Sequence, residues 1–134
     1  MQAVNFNQRL LTSAGALLAA TGMGLAAVGS HLLATQLEPA ALRSFEAGVQ
    51  FQCLNALGTL VMAWWAGRTG SGRILALTGW GLVSGVLLFS GSIYATHAGW
   101  LESAGPLAPI GGTLVIVSWL AFAFACLRPR PAGG

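Results

Sequence analysis

All nine charged side chains of this chain stand at the ends of four long uncharged runs, sorted by sign. The runs cover residues 10–37, 47–67, 74–101 and 103–127. Arg9 precedes the first, Arg68 and Arg73 lie between the second and third, and Arg128 and Arg130 follow the fourth. The other two junctions hold Glu38, Arg43, Glu46 and Glu102. If each run crosses a membrane as a helix, one face carries five Arg and no acid, and the other carries one Arg and all three Glu. A water-soluble fold has no reason to sort charge this way. A multi-span membrane protein does, because short cytoplasmic segments are enriched in Lys and Arg. The pattern predicts four spans in a bacterial cytoplasmic (inner) membrane, with both termini in the cytoplasm.

Composition supports the same class. Of 134 residues, 55% are hydrophobic and 7% charged, with no Asp and no Lys, where a soluble domain has about a quarter charged residues. Each run can supply the roughly 20 apolar residues that a spanning helix needs. The pI near 9.7 does not point to nucleic acid, since no basic cluster interleaves with aromatics. The Arg residues read as topology determinants that also favour anionic lipid. Ala27-Val28-Gly29 loosely resembles a signal-peptide cleavage site. The apolar run continues to Leu33, however, which favours a retained helix. Cys53 and Cys126 are expected about a bilayer thickness apart, too far for a disulfide.

The predicted fold is all-α: a four-helix transmembrane bundle, up-down and antiparallel because the connections are short. We expect helices at about 9–33, 39–65, 74–99 and 109–128. They form a single domain over 1–127 with spans at 9–33, 47–66, 74–98 and 109–127. Residues 128–134 form a disordered cytoplasmic tail. Pro39 suits the first position of helix two. Leu42, Phe45 and Val49 share one face of its extended or interfacial start. Residues 67–73 form a turn-rich loop. Trp64, Trp65, Trp80 and Trp100 fall near helix ends, where aromatic rings prefer the headgroup level. Gly15, Ala19, Gly22 and Ala26 on helix one, and Gly81 and Gly85 on helix three, allow close approach of helices in lipid. Two readings of that third-helix face stay open: packing within the bundle, or a homodimer contact.

Polar residues within the spans gather toward the Glu-bearing side: His31, Gln50, Gln52, Asn55, Ser90, Ser92, Tyr94, His97 and Thr113. In lipid such groups face the bundle interior and find partners there. We expect one polar pocket in the outer leaflet, with His31, Gln52, Asn55, Ser90, Ser92, Tyr94, Gly111 and Gly112 as its candidate ligand-binding residues. Gln52 and Asn55, one helical turn apart, should point together toward Ser90, Tyr94 or His31. Pro109 through Gly112 should pack on residues 89–94 as one wall of the pocket. The free N–H groups of that first turn would suit an anionic or carbonyl group.

Four segments carry a family resemblance: Val28-Gly29-Ser30-His31-Leu32, residues 49–57 around Gln50, Gln52 and Asn55, Leu88-Phe89-Ser90-Gly91-Ser92-Ile93-Tyr94, and Ala108-Pro109-Ile110-Gly111-Gly112. Together they resemble the DUF423 family of small bacterial inner-membrane proteins, over about residues 10–127. This chain has Ser30, Asn55 and Ala108 where the family pattern carries Ala, His and Thr. The resemblance implies a four-span inner-membrane protein and no reaction.

The residues themselves suggest no catalysis. His31 and His97 lack the spacing of a metal site, and we expect no metal, no haem and no other cofactor. A thiol oxidoreductase would need a Cys-x-x-Cys. A proton-coupled exporter would need a carboxylate within a span, and all three Glu lie at junctions. Ser90 and Ser92 have no oriented base. Two functions remain. One is a non-enzymatic module that binds membrane lipid or a small ligand in the polar pocket, or packs on a larger membrane complex. The alternative is a small oligomeric transporter or channel, assembled through Gly81 and Gly85. A polar path across the whole bundle would favour the second.

Overall fold

In a computed structural model that describes residues 5–69 and 72–128, the chain forms four helices and, among the described residues, no strand. They are α1 (Phe6–His31), α2 (Pro39–Thr69), α3 (Gly72–His97) and α4 (Leu107–Leu127), with a short 3-10 turn at Leu33–Thr35. Gly70, Ser71, Arg130 and the tail expected to be disordered lie outside the described residues, apart from Arg128.

The helix ends follow local chemistry. Asn5 caps α1, its side-chain oxygen accepting from the Gln8 N–H at 2.7 Å, so the helix begins before Arg9. α2 starts at Pro39, as the proline suggests. It runs on through Gly67 to Thr69, so the expected turn-rich loop is shorter than its glycines imply. Gly67 is needed for space rather than for a turn: a Cβ there would overlap the Gln8 side chain, whose Nε2 donates to the Ala63 carbonyl. α4 begins at Leu107, two residues before Pro109. Proline is still tolerated there, because the N–H groups of the first turn have no partner within the helix.

The order of contacts establishes the antiparallel topology. Gly15, Gly22 and Gly29 of α1 face Leu60, Cys53 and Phe45 of α2 in turn. Gly48 and Gly58 of α2 face Ile93 and Leu82 of α3. Gly81, Gly85 and Gly111 bring Ser118, Val115 and the Phe89 backbone together across α3 and α4. α2 and α3 take the middle of the bundle. Leu11, Ala63 and Val83 join α1, α2 and α3, while Met62, Leu82 and Val115 join α2, α3 and α4.

Gly81 and Gly85 are therefore packed against α4, as the reading of packing within the bundle expects. A Cβ at Gly81 would overlap Ser118 Oγ, and one at Gly85 would lie 2.8 Å from the Gly111 carbonyl oxygen.

Polarity is inverted relative to a soluble fold. On α2, Leu54, Leu57, Val61 and Trp64 are exposed, while Gln52, Asn55 and Thr59 are buried. α4 exposes Ile110, Ile116, Val117, Leu120 and Phe124. Such a surface suits acyl chains, and the buried polar groups suit a bundle held by packing and hydrogen bonds rather than by the hydrophobic effect. By length and composition three helical stretches can cross a membrane: Phe6–Thr35, Arg73–His97 and Leu107–Leu127. α2 is long enough at 31 residues, but its inward amides lower its mean hydropathy.

The charges sort in space as they do in sequence. Arg9, Arg68, Arg73 and Arg128 flank helix ends on one side of the bundle, while Glu38, Glu46 and Glu102 stand at the other. Trp80 Nε1 donates to Asn7 Oδ1 at 2.8 Å at the Arg-bearing end. Arg68 lies over the Trp64 ring, 5.1 Å from its centroid. Trp100, 82% exposed, stands at the Glu-bearing end. The polar start of α2 does not project freely. Phe45 and Val49 are buried, and the Phe45 ring packs on Tyr94 and His97.

Candidate functional site

Gln52 is the hub of the interior. Only 4% exposed, it sits where α2 passes between α1 and α3. Its Nε2 donates to the Leu18 carbonyl at 2.8 Å and to Thr21 Oγ1 at 2.9 Å. Its Oε1 accepts from the Tyr94 hydroxyl at 2.8 Å. One amide thus links three helices, and both its N–H groups are used. Close approach makes this possible: Gly22 leaves room for Cys53 and the Gln52 stem. Ser90, one turn before Tyr94, donates to the Gly48 carbonyl at 2.7 Å, a second tie between α2 and α3.

At this hub, between α1 and α3, lies a groove of about 190 Å³, lined by Leu18, Thr21, Leu25, Gln52, Val86, Leu87, Ser90, Gly91 and Tyr94. Its walls are aliphatic and its floor is polar. Gly91 opens it, since a Cβ there would meet nothing within 4 Å.

Of the eight candidate residues, the structure brings together Gln52, Ser90 and Tyr94. The other five are elsewhere. Asn55, 2% exposed, turns toward α4: its Oδ1 accepts from Trp119 Nε1 at 2.9 Å and its Nδ2 donates to the Phe51 carbonyl. The shared-face expectation for Gln52 and Asn55 is corrected, because a helix packed on several sides sends residues three apart to different neighbours. Ser92 is buried but donates to the Phe89 carbonyl within its own helix. His31 is exposed at the end of α1 and stays out of the hub. Gly111 and Gly112 lie on the α3–α4 contact and do not line the groove. The start of α4 does pack on Phe89, as expected, yet Pro109 and Ile110 border a separate apolar hollow with Thr113, Leu114 and Val117.

Thr21 and Trp119 are the residues that sequence reasoning missed. Thr21 sits mid-helix, on the side away from the expected pocket. The antiparallel register would have found it: with Gly15 opposite Leu60 and Gly22 opposite Cys53, Thr21 falls beside Gln52. Trp119 offered only an indole N–H at mid-span, a group that needs a partner when surrounded by hydrocarbon.

Among the described residues, every buried side-chain nitrogen and oxygen has a partner, and no three His, Cys, Asp or Glu gather as a metal site would require. Cys53 and Cys126 are both free thiols.

Known proteins resemble this chain along most of its length. It is 32% identical over 114 residues to the UPF0382 membrane protein YwdK of Bacillus subtilis, covering 85% of this chain and 93% of that one. A UPF0382 membrane protein of Staphylococcus epidermidis is 34% identical over 114 residues, covering 85% and 92%. One of Haemophilus influenzae is 31% identical over 108 residues, covering 81% and 86%. No solved structure matches. The DUF423 family, described as a protein of unknown function, matches residues 25–112, and the chain belongs to that family.

Proposed function

We propose that this chain is a non-enzymatic four-span protein of the bacterial cytoplasmic membrane, both termini cytoplasmic, that holds a membrane lipid in the groove between α1 and α3. The observation that carries this reading is the groove itself. It lies between the middle stretches of α1 and α3, and its lining pairs aliphatic Leu18, Leu25, Val86 and Leu87 with polar Gln52, Ser90 and Tyr94. A lipid has this combination of tail and polar group. The Arg-bearing end, facing the cytoplasm, would obey the positive-inside tendency. α2 would cross as the fourth span because its amides are shielded by neighbours and its Leu54, Leu57 and Val61 stripe faces outward.

Two observations support binding over catalysis or transport. The hydroxyls of Ser90 and Ser92 donate to backbone carbonyls rather than to a base, which leaves no activated nucleophile. In the Arg-bearing half, Thr59, Thr78 and Ser118 each donate to a carbonyl of their own helix, so these buried polar groups do not connect into a path of the kind that conduction needs.

The test uses Gly91, a residue of the groove lining at which an added Cβ meets nothing within 4 Å. Native mass spectrometry of the purified full chain should find co-purifying lipid on the wild type and little on Gly91→Leu, with thermal stability no lower than that of the wild type. Equal lipid occupancy of the two proteins would refute the groove as the site.

A further inference from the structure

The hydrogen-bond inventory of the groove floor restricts the chemistry of its ligand. Gln52 spends both N–H groups on Leu18 and Thr21. The Thr21 hydroxyl donates to the Leu17 carbonyl at 2.7 Å, the Ser90 hydroxyl to the Gly48 carbonyl, and the Tyr94 hydroxyl to Gln52 Oε1. No side-chain donor on this floor is left over. Acceptor capacity is left over, because a hydroxyl oxygen that donates can still accept. Gln52 and Ser90 are buried beneath the surface, while Tyr94 and Thr21 are at least partly exposed. Thr21 Oγ1 already accepts from Gln52, whereas Tyr94 Oη has beside it as a donor, among the described residues, only the Ser90 hydroxyl, whose proton goes to the Gly48 carbonyl.

We infer that the groove selects a neutral lipid whose polar group donates a hydrogen bond, a hydroxyl received by Tyr94 Oη. This rests on the groove being the lipid site. A carboxylate, phosphate or carbonyl brings only acceptors, and would have to draw the Tyr94 proton away from Gln52 Oε1. That would leave a buried amide oxygen without a donor, in surroundings where nothing else can replace it. Tyr94 stands one turn before the end of α3. Val86 and Leu87 precede it by about two turns, toward the middle of the same helix, where the chain would run.

The test uses three probes of equal chain length with the purified full chain in detergent: hexadecanol, its methyl ether, and hexadecanoate at a pH where the carboxyl is ionised. Wild-type protein should bind the alcohol about tenfold or more tightly than either of the others. Tyr94→Phe should lower alcohol binding to the level of the ether and leave ether binding unmoved. Gly91→Leu should abolish all binding without lowering stability. Equal binding of the three probes by wild type, still blocked by Gly91→Leu, would overturn the hydroxyl selectivity and leave the groove as a lipid site. Tightest binding of hexadecanoate would overturn it as well. Binding indifferent to Gly91→Leu, or no binding of any probe, would overturn both readings.

Discussion

Substitution of Gly111 by Ala should separate packing from helix propensity. A Cβ at Gly111 would lie 2.5 Å from the Phe89 nitrogen, 2.6 Å from the Gly85 carbonyl oxygen and 2.9 Å from Leu88 Cβ. The first two neighbours are backbone of α3, so no rotamer change can relieve the overlap. The helices must part locally by about 0.9 Å for the closest contact to reach an ordinary 3.4 Å. A gap of about 0.5–1 Å forfeits a quarter to a half of the dispersion energy of the atoms it separates, and packing is the main attraction between helices in lipid. Overpacking of this kind costs about 1–3 kcal/mol. Gly112 is the internal control. Its Cβ would sit 3.8 Å from Phe89 Cδ2, an ordinary contact, so Gly112→Ala should gain up to about 1 kcal/mol of helix propensity. Reversible unfolding of both variants in mixed micelles, followed by tryptophan fluorescence, should separate them by about 1–3 kcal/mol, because the propensity gain is common to both. Equal stability of Gly111→Ala and Gly112→Ala would refute the backbone-contact account of the α3–α4 interface.

Three further outcomes follow from the geometry. Gln52→Leu should insert normally but lose about 1–2 kcal/mol, since three bonds to α1 and α3 vanish while interhelical hydrogen bonds in membranes are individually modest; wild-type stability in the same micelles would argue against Gln52 as the hub. Asn55→Leu should cost about 1 kcal/mol and shift the emission attributable to Trp119, read in a variant whose other tryptophans are Phe, because the indole N–H loses its acceptor; an unchanged spectrum would contradict the bond. A reporter fused after Gly134 should be active only if it works in the cytoplasm, as the positive-inside tendency of Arg9, Arg68, Arg73 and Arg128 implies; periplasmic activity would invert the proposed orientation.

Much of the fold was legible because it depends on quantities that run along the chain. Charge placement delimits the helices, since an Arg or Glu at a span centre is costly. The short junctions then leave antiparallel packing as the simple solution. The burial of Gln52 and Asn55 was also legible, because an amide facing hydrocarbon has no partner. Helix ends were less so. Gly67 reads as a turn residue and is in fact helical, cleared for Gln8, a contact between residues far apart in sequence.

What the sequence could not decide was where each buried group finds its partner. Gln52 and Asn55 are three residues apart, about 60° around the helix axis. For a helix with one packed face that difference is small. α2 meets α1, α3 and the Trp119 side chain of α4, so the same 60° sends one amide to Thr21 and Tyr94 and the other to Trp119. Gly81 and Gly85 pose the same problem, because a small-residue face admits a helix of the same chain or of another copy with equal ease. Only the tertiary arrangement shows α4 seated against that face. Composition and charge therefore determined the class and the helix order, through the cost of polar groups in lipid. The register of three helices around α2 decided which polar groups meet and where a groove stays open.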